Sequence, residues 1–269
     1  MILYLRYSNL VCKISSPEGW NKYFQKLYEN SDIIEYSEKP LVSRCQANLD
    51  IVEVNDKNIH LEFITYRNLT KYTIKASAYP LFLFPSVHQF VSRIFNILHH
   101  LSGGFVLHAS SILINDKAIV FVGESGRGKS TLIDLIHKEN PQYTVISDNS
   151  AFISRQKGEY VIYPSPYLEA NRLGSFQSRA VKRPPYKIHS VFFPFHNSVN
   201  IIKSLDFEDR LQLTKINSHI PYQADIVFSS QEKKEFAKKV FGFITKVPMY
   251  KLEFAKDRRV IYNLKKYVR

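Results

Sequence analysis

Residues 105–154 read FVLHASSILINDKAIVFVGESGRGKSTLIDLIHKENPQYTVISDNSAFIS, and the rest of the chain is understood by working outward from them. Gly123-Glu124-Ser125-Gly126-Arg127-Gly128-Lys129-Ser130 fits the spacing G-x-x-x-x-G-K-[ST]. The apolar run Ala118 to Val122 precedes it, and Thr131, Leu132, Leu135 and Ile136 follow at helical spacing. Strand, glycine-rich loop and helix therefore come in the order this motif requires. Glycines at 123, 126 and 128 are expected to take positive φ, turning backbone N–H groups inward at a helix N-terminus where the helix dipole also favours an anion. Residues 123–131 are thus the expected cradle for a nucleotide polyphosphate, ATP or ADP. Lys129 supplies a point charge for the β- and γ-phosphates. Ser130 is placed to ligate Mg²⁺, an ion that takes few protein ligands and relies on phosphate oxygens for the rest. The competing reading, a chance glycine-rich turn before a helix, leaves the full set of specified residues unexplained.

The 269 residues are 45% hydrophobic and 14% aromatic, enough to bury a substantial core in one or two domains. Lys and Arg number 37 against 24 Asp and Glu, a formal charge of +13. Such an excess steers acidic peptides, nucleotides or nucleic acid toward a surface, and a generally basic surface is the plainer explanation. Basic residues are not interleaved with aromatics in any recognisable nucleic-acid module, so nucleic acid is not the expected partner. Cys12 and Cys45 form neither a C-x-x-C unit nor a zinc set, and buried free thiols are the expectation. Arg6 interrupts the apolar N-terminus, which reads as a strand and not a signal peptide. No uncharged stretch of about 18 residues is present to span a bilayer. The expected home is a reducing cytoplasm, with no membrane partner.

Residues 1–84 are expected to form a β-rich subdomain. Residues 1–14 look like a strand or hairpin and 18–28 like a short helix with Trp20, Tyr23, Phe24 and Leu27 on one side. Residues 49–54 and 60–66 alternate apolar with polar around a turn at 55–58. This unit carries no cluster of nucleophile, base and orienting residue. Its expected use is to help close the site or to make contacts in a homo-oligomer, with plain scaffolding as the alternative. Residues 85–269 are the expected nucleotide-binding domain. Ser86 is a candidate N-cap for a helix to about Leu101, with Val87, Phe90, Val91, Ile94, Phe95 and Leu98 on its apolar face and Gly103-Gly104 closing it. Residues 105–114 alternate around His108 and turn through Asn115-Asp116 into the strand that feeds the loop. A lone histidine on a strand is ordinarily a core residue; His108 stands out because its hairpin partner leads into residue 123. Residues 143–147 form a further strand, taken as adjacent to the loop strand and closed by Asp148, where a metal-binding carboxylate is wanted. A turn-forming aspartate is the alternative there. Strands are expected at 186–194 and 197–204 and helices at 206–213 and 231–246, the last burying Phe236, Val240, Phe241 and Ile244. Arg179, Lys182, Arg183 and Lys187 flank Pro184-Pro185 in a basic loop, able to clamp phosphate or simply solvated.

Leu107-His108-Ala109-Ser110, the G-E-S-G-x-G-K-S loop, Ser147-Asp148 and the ending Val247-Pro248-Met249-Tyr250-Lys251-Leu252 with Lys256-Asp257 together resemble the kinase domain of the HPr kinase/phosphorylase family. The fold of that family is distantly similar to phosphoenolpyruvate carboxykinase. The resemblance covers roughly residues 87–269. It implies that His108 lies near the transferred phosphoryl group, that Asp148 binds metal, and that a following acid acts as base toward the acceptor hydroxyl. This chain has Asn149 where HPr kinases carry a second aspartate. Residues 168–174, LEANRLG, resemble the L-E-x-R-G-L-G segment that supplies a glutamate to the metal site, which makes Glu169 a further candidate ligand beside Ser130 and Asp148; Arg172 falls one place late.

Strands alternating with helices after residue 104 predict an α/β phosphate-loop domain preceded by the β-rich unit. The expected function is ATP- and Mg²⁺-dependent phosphoryl transfer to a hydroxyl, first of all a serine or threonine of a peptide or protein, with a small hydroxyl-bearing acceptor as the other candidate partner, and with Lys129, Asp148 and His108 as the catalytic set. The alternative is a nucleotide-binding regulator that has lost transfer. Nucleic-acid binding by the basic surface, a third reading, predicts a steep salt slope and little dependence on Lys129.

Overall fold

The computed structural model describes residues 2–8, 10–17, 20–28, 34–41, 47–53, 60–66, 69–76, 94–165, 185–218 and 230–267. The chain is a mixed α/β protein with two sheets, and it divides into two compact units, Met1–Leu98 and His99–Arg269. The division falls inside the helical residues 94–101 (α2). Residues 86–93, the first part of the expected helix, lie outside the described residues.

The first unit is a six-stranded sheet in the order β3-β1-β2-β4-β6-β5. Strands β1 (Ile2–Tyr7) and β2 (Leu10–Ser15) are the antiparallel hairpin that the N-terminal alternation predicts, and β3 spans Ile34–Ser37. Helix α1 (Trp20–Tyr28) buries Trp20, Phe24 and Tyr28, one face at four-residue spacing. Cys12 is buried, in no disulfide among the described residues, and its thiol donates to Lys13 O at 3.7 Å, whereas Cys45 lies outside the described residues. Both alternating runs are strands, β4 (Ala47–Glu53) and β5 (His60–Tyr66), yet they do not pair with each other. An unanticipated strand, β6 (Leu69–Ala76), sits between them, parallel to β4 and antiparallel to β5.

The second unit is built on β7 (Phe105–Ile114) and β8 (Lys117–Val122), joined by a two-residue turn in which Asn115 and Asp116 take φ of 49° and 61°. Such a turn matches the twist of the strands it joins. Both faces of β8 are covered. Ala118, Val120 and Val122 enter one core cluster, and Ile119 and Phe121 enter a second beneath helix α3 (Lys129–Glu139). This double burial is why the strand reads as an unbroken apolar run.

Strand β9 (Thr144–Ser147) pairs with β7 and not with the loop strand β8, which corrects the expectation that the two are adjacent. Ser147 faces Ser111, and Ser150 of β10 (Ser150–Gln156) faces His108, so in the same register Asp148 falls opposite Ser110 and Asn149 opposite Ala109. Strands β9 and β10 are thus one path along β7, interrupted at Asn149, whose φ is +83°. Asparagine is among the few side chains that accept that conformation readily. Because β9 runs antiparallel to β7, as β8 does, its C-terminal end reaches the same edge as the end of β8.

A hairpin carries β10 into β11 (Glu159–Tyr163), which pairs with the start of β12 (Tyr186–His196). The pairings β7–β10–β11–β12–β8–β7 close a ring of strands around the first core cluster. Strand β14 (Met249–Phe254) adds parallel to β12, with the short edge strand β13 (Ile201–Ser204) beside it. The strand expected at 197–204 is shortened to these four residues. The Asn197 side chain accepts from Ser198 N at 2.7 Å and its own N–H donates to Phe254 O at 2.9 Å, which turns the chain before it can extend.

Asp206 caps helix α4 (Phe207–Asn217) by accepting from Asp209 N at 2.8 Å. Helix α5 (Ser230–Lys246) buries Val240, Phe243 and Ile244, with Phe236 partly buried against the same core. Phe241, expected in that core, is 54% exposed and meets the exposed Phe207 at 5.5 Å. Five residues beyond Phe236 is well off the face that four- and seven-residue steps generate, so Phe243 takes the inward place. Helix α6 (Arg259–Lys266) closes the second cluster with Val260, Ile261 and Leu264. Among the described residues no helix is long and apolar enough to cross a membrane.

A cavity at the C-terminal ends of the strands

The parallel strands β8, β12 and β14 end at Val122, His196 and Phe254, on the edge where β9 delivers Asp148. A cavity of ≈ 520 Å³ opens there, lined by His108, Ser125, Gly126, Gly128, Lys129, Ser130, Thr131, Asp148, Asn149, His196 and Lys256.

Gly126 and Gly128 have φ of +82° and +91°. A Cβ on Gly128 would also lie 2.5 Å from Phe254 Cζ and 2.7 Å from His196 Cε1, so steric exclusion and backbone conformation both call for glycine. Gly123 is different: its φ is not positive, and an added Cβ would come to 3.3 Å of Arg127 Cβ. The expectation of positive φ thus fails at 123, where the chain is still leaving an extended strand. Glu124 and Arg127 do not line the cavity. Their side chains approach each other at 3.7 Å, and the Arg127 guanidinium lies 5.0 Å from the centre of the Phe195 ring.

Lys129 opens α3 and is only 7% exposed. Its ammonium donates to Gly123 O at 2.6 Å and Glu124 O at 2.9 Å, folding the side chain back across the loop. Loss of hydration lowers its pKa to about 8, against the opposing pull of the Asp148 and Glu124 carboxylates. The lysine therefore holds its charge at some cost.

Asp148 gathers the hydroxyls around it. Ser110 Oγ donates to Asp148 Oδ1 at 2.7 Å across the β7 register, and Ser130 Oγ donates to the same oxygen at 3.2 Å from the first turn of α3. Beside them the Ser111 and Ser147 hydroxyls share a 2.6 Å hydrogen bond. His108 reaches the cavity through strand parity. Phe105, Leu107 and Ala109 face the ring interior, so His108 and Ser110 take the other face, and His108 O accepts from Gly123 N at 3.2 Å.

Of the residues singled out in the sequence, Ser125, Gly126, Gly128, Lys129, Ser130, Thr131, His108, Asp148 and Asn149 share one cavity. Glu169, Arg172, Arg179, Lys182 and Arg183 lie outside the described residues, and Lys187 pairs with Glu159 at 3.1 Å. The sequence reading missed two lining residues. Lys256 belonged to the C-terminal run that carried the family resemblance but had no role there. His196 is simply the last residue of an apolar strand.

Ser130 and Asp148 suit a hard divalent cation, since their oxygens lie 3.2 Å apart and the pair combines a neutral with an anionic donor. Among the described residues no group of three His, Cys, Asp or Glu side chains is arranged to hold a metal by itself. An ion here would depend on ligand oxygens, as Mg²⁺ commonly does.

A comparison with curated proteins finds no match. Among solved structures, the HPr(Ser) kinase/phosphatase from Coxiella burnetii is similar at 10% sequence identity and a TM-score of 0.33, over 61% of this chain and 97% of that one. The family model described as SynChlorMet cassette protein ScmC matches residues 75–265, and the chain belongs to that family.

Proposed function

We propose that this protein transfers the terminal phosphoryl group of ATP to a hydroxyl, with a serine or threonine of a peptide or protein as the acceptor class. One observation carries the reading: the Lys129 ammonium, the Ser130 hydroxyl and the Asp148 carboxylate converge on a single cavity around a glycine-rich turn at a helix N-terminus. Backbone N–H groups of residues 126–131 and Lys129 hold the polyphosphate, while Ser130 and Asp148 hold Mg²⁺. When bound, the ion neutralises charge on the phosphate oxygens. In the transfer, the bond from the terminal phosphorus to the β–γ bridging oxygen breaks as the acceptor oxygen forms a new one. The acceptor proton passes to the Asp148 carboxylate, and His108, on the same wall, donates to a terminal phosphate oxygen. Most of the acceleration is positional and electrostatic. Incubation with γ-labelled ATP, Mg²⁺ and a library of serine- and threonine-containing peptides tests the reading. Label is expected on peptide; nucleotide binding without label on any acceptor would reject transfer.

That second outcome is a reading with its own support. Asn149 lines the cavity with an amide where a base is wanted, which favours a nucleotide-responsive regulator without turnover.

The burial of Lys129 adds a pH signature. A bound polyphosphate restores the ammonium and raises its pKa above the value near 8 of the free protein. Between the two pKa values, binding takes up a proton. ADP affinity is therefore expected to be flat below about pH 8 and to fall by up to about tenfold per pH unit above it. Calorimetry at rising pH in two buffers of different ionisation enthalpy measures both the affinity and the uptake. Constant affinity to pH 9.5 would show that burial does not lower the Lys129 pKa in this way.

A further inference from the structure

Lys256 is held at the cavity by a turn that has no other evident purpose. It is the middle residue of a three-residue turn closed by Asp257 N donating to Ala255 O at 2.8 Å. The Asn200 side chain clamps both ends of that turn. Its Oδ1 accepts from Ala255 N at 3.0 Å, and its Nδ2 donates to Asp257 Oδ1 at 3.2 Å. Asn200 is fixed in turn by Asn263 Nδ2, which donates to Asn200 O at 3.0 Å. Immediately before the clamped turn, Phe254 O accepts from Asn197 N at 2.9 Å, from the residue that follows β12, which steadies the turn's entry.

The nearby acids are engaged elsewhere. Asp257 takes two hydrogen bonds from the Arg259 guanidinium, at 2.7 and 3.2 Å, and Glu253 takes Lys251 at 2.8 Å and Asn197 Nδ2 at 2.7 Å. Lys256 is exposed, lines the cavity, and makes no ion pair or hydrogen bond among the described residues. An exposed lysine on an ordinary surface needs no such fixed backbone. A fixed turn that carries an unpaired ammonium to a cavity already holding Lys129 is what an anion with several charges requires.

The sheet order gives its direction. The glycine-rich loop follows β8; His108 and Asp148 come from the β7 side, whereas His196 and Lys256 come from β12 and β14 on the other. We propose that Lys256 is a second phosphate-binding cation, which grips the polyphosphate from the flank opposite Asp148, with Asn200 as its positioning residue. The ligand's identity as a nucleotide rests on the function proposed above; its chemical class, a linear polyphosphate, does not.

Calorimetry on the full chain with inorganic tripolyphosphate and with ADP, each with Mg²⁺, tests the assignment. Lys256→Ala is expected to weaken both ligands about tenfold, the effect of losing one charge-assisted contact at a partly hydrated site, and Lys256→Arg to retain most of the affinity. Asn200→Ala is expected to reproduce part of the loss in the wild-type background and to add nothing in Lys256→Ala, because it acts through the lysine. A purely structural Asn200 would instead lower affinity equally in both backgrounds, which overturns its positioning role. Unchanged tripolyphosphate affinity in Lys256→Ala overturns the proposal, as does a wild-type chain that binds no tripolyphosphate. Lys256→Gln, with an unchanged melting temperature, separates charge loss from misfolding. If tripolyphosphate binds through Lys256 but ADP does not bind, the nucleotide reading falls while this one stands.

Discussion

Replacing Lys129 with alanine is expected to weaken ATP and ADP by about 10- to 100-fold and to remove phosphoryl transfer. The first figure is the usual worth of hydrogen bonds to a charged group, about 1.5–3 kcal/mol, taken as affinity. Loss of turnover follows because the same ammonium would stabilise charge that develops on the moving phosphoryl group. The ammonium donates to Gly123 O and Glu124 O. A polyphosphate has to compete with those carbonyls for it. The substitution also relieves the burial that lowers the lysine's pKa, while it leaves two carbonyls facing the cavity. These effects oppose each other, and the melting temperature is expected to stay close to that of the wild type. Lys129→Met, which keeps most of the aliphatic stem, should match the alanine variant if charge is the cause. Equal nucleotide affinity in all three proteins would reject the loop as the binding site.

What the sequence made legible followed local periodicity. The hairpin of β7 and β8, the loop and α3 are continuous in the chain, and each boundary carries its own chemistry: two residues able to take positive φ, an apolar run, glycines, then helical spacing. His108 could be placed on the cavity side because its hairpin partner, through the Asn115-Asp116 turn, feeds directly into the loop. Pairing partners were harder, since any strand edge offers the same backbone donors and acceptors. Asp148 reached the expected site from a strand on the far side of β7, and the direction of β9, not its adjacency to β8, was what mattered. In the first unit, alternation identified β4 and β5 but could not show that β6 inserts between them. Lys256 and His196 were illegible for a related reason. They enter the cavity because β12 and β14 lie parallel to β8, and nothing near residue 196 or 256 in the sequence announces which strands will be neighbours.

The sharpest test lies at Asp148 and Asn149. Ser110 and Ser130 both donate to Asp148 Oδ1, which fixes the carboxylate between the β7 strand and the first turn of α3. Asn149 follows on the same wall, its backbone held by Ala109 N donating to its carbonyl at 3.3 Å and its φ already positive. Aspartate tolerates that φ about as well as asparagine, so Asn149→Asp should introduce a second carboxylate without moving the chain. An amide cannot accept the acceptor's proton as a carboxylate can, and general-base assistance is typically worth about 10²–10⁴ in rate. If Asp148 serves both metal and base, Asp148→Asn is expected to abolish turnover, while Asn149→Asp leaves it intact or raises it. If the protein is a regulator without transfer, neither variant produces phosphorylated product, yet Asp148→Asn still lowers the Mg²⁺-dependent part of nucleotide affinity. Label transfer and calorimetry on the same two variants tell these apart. Transfer that survives Asp148→Asn at the wild-type rate would contradict both readings, because Asp148 is the one carboxylate among the described residues that lines the cavity beside Lys129 and Ser130.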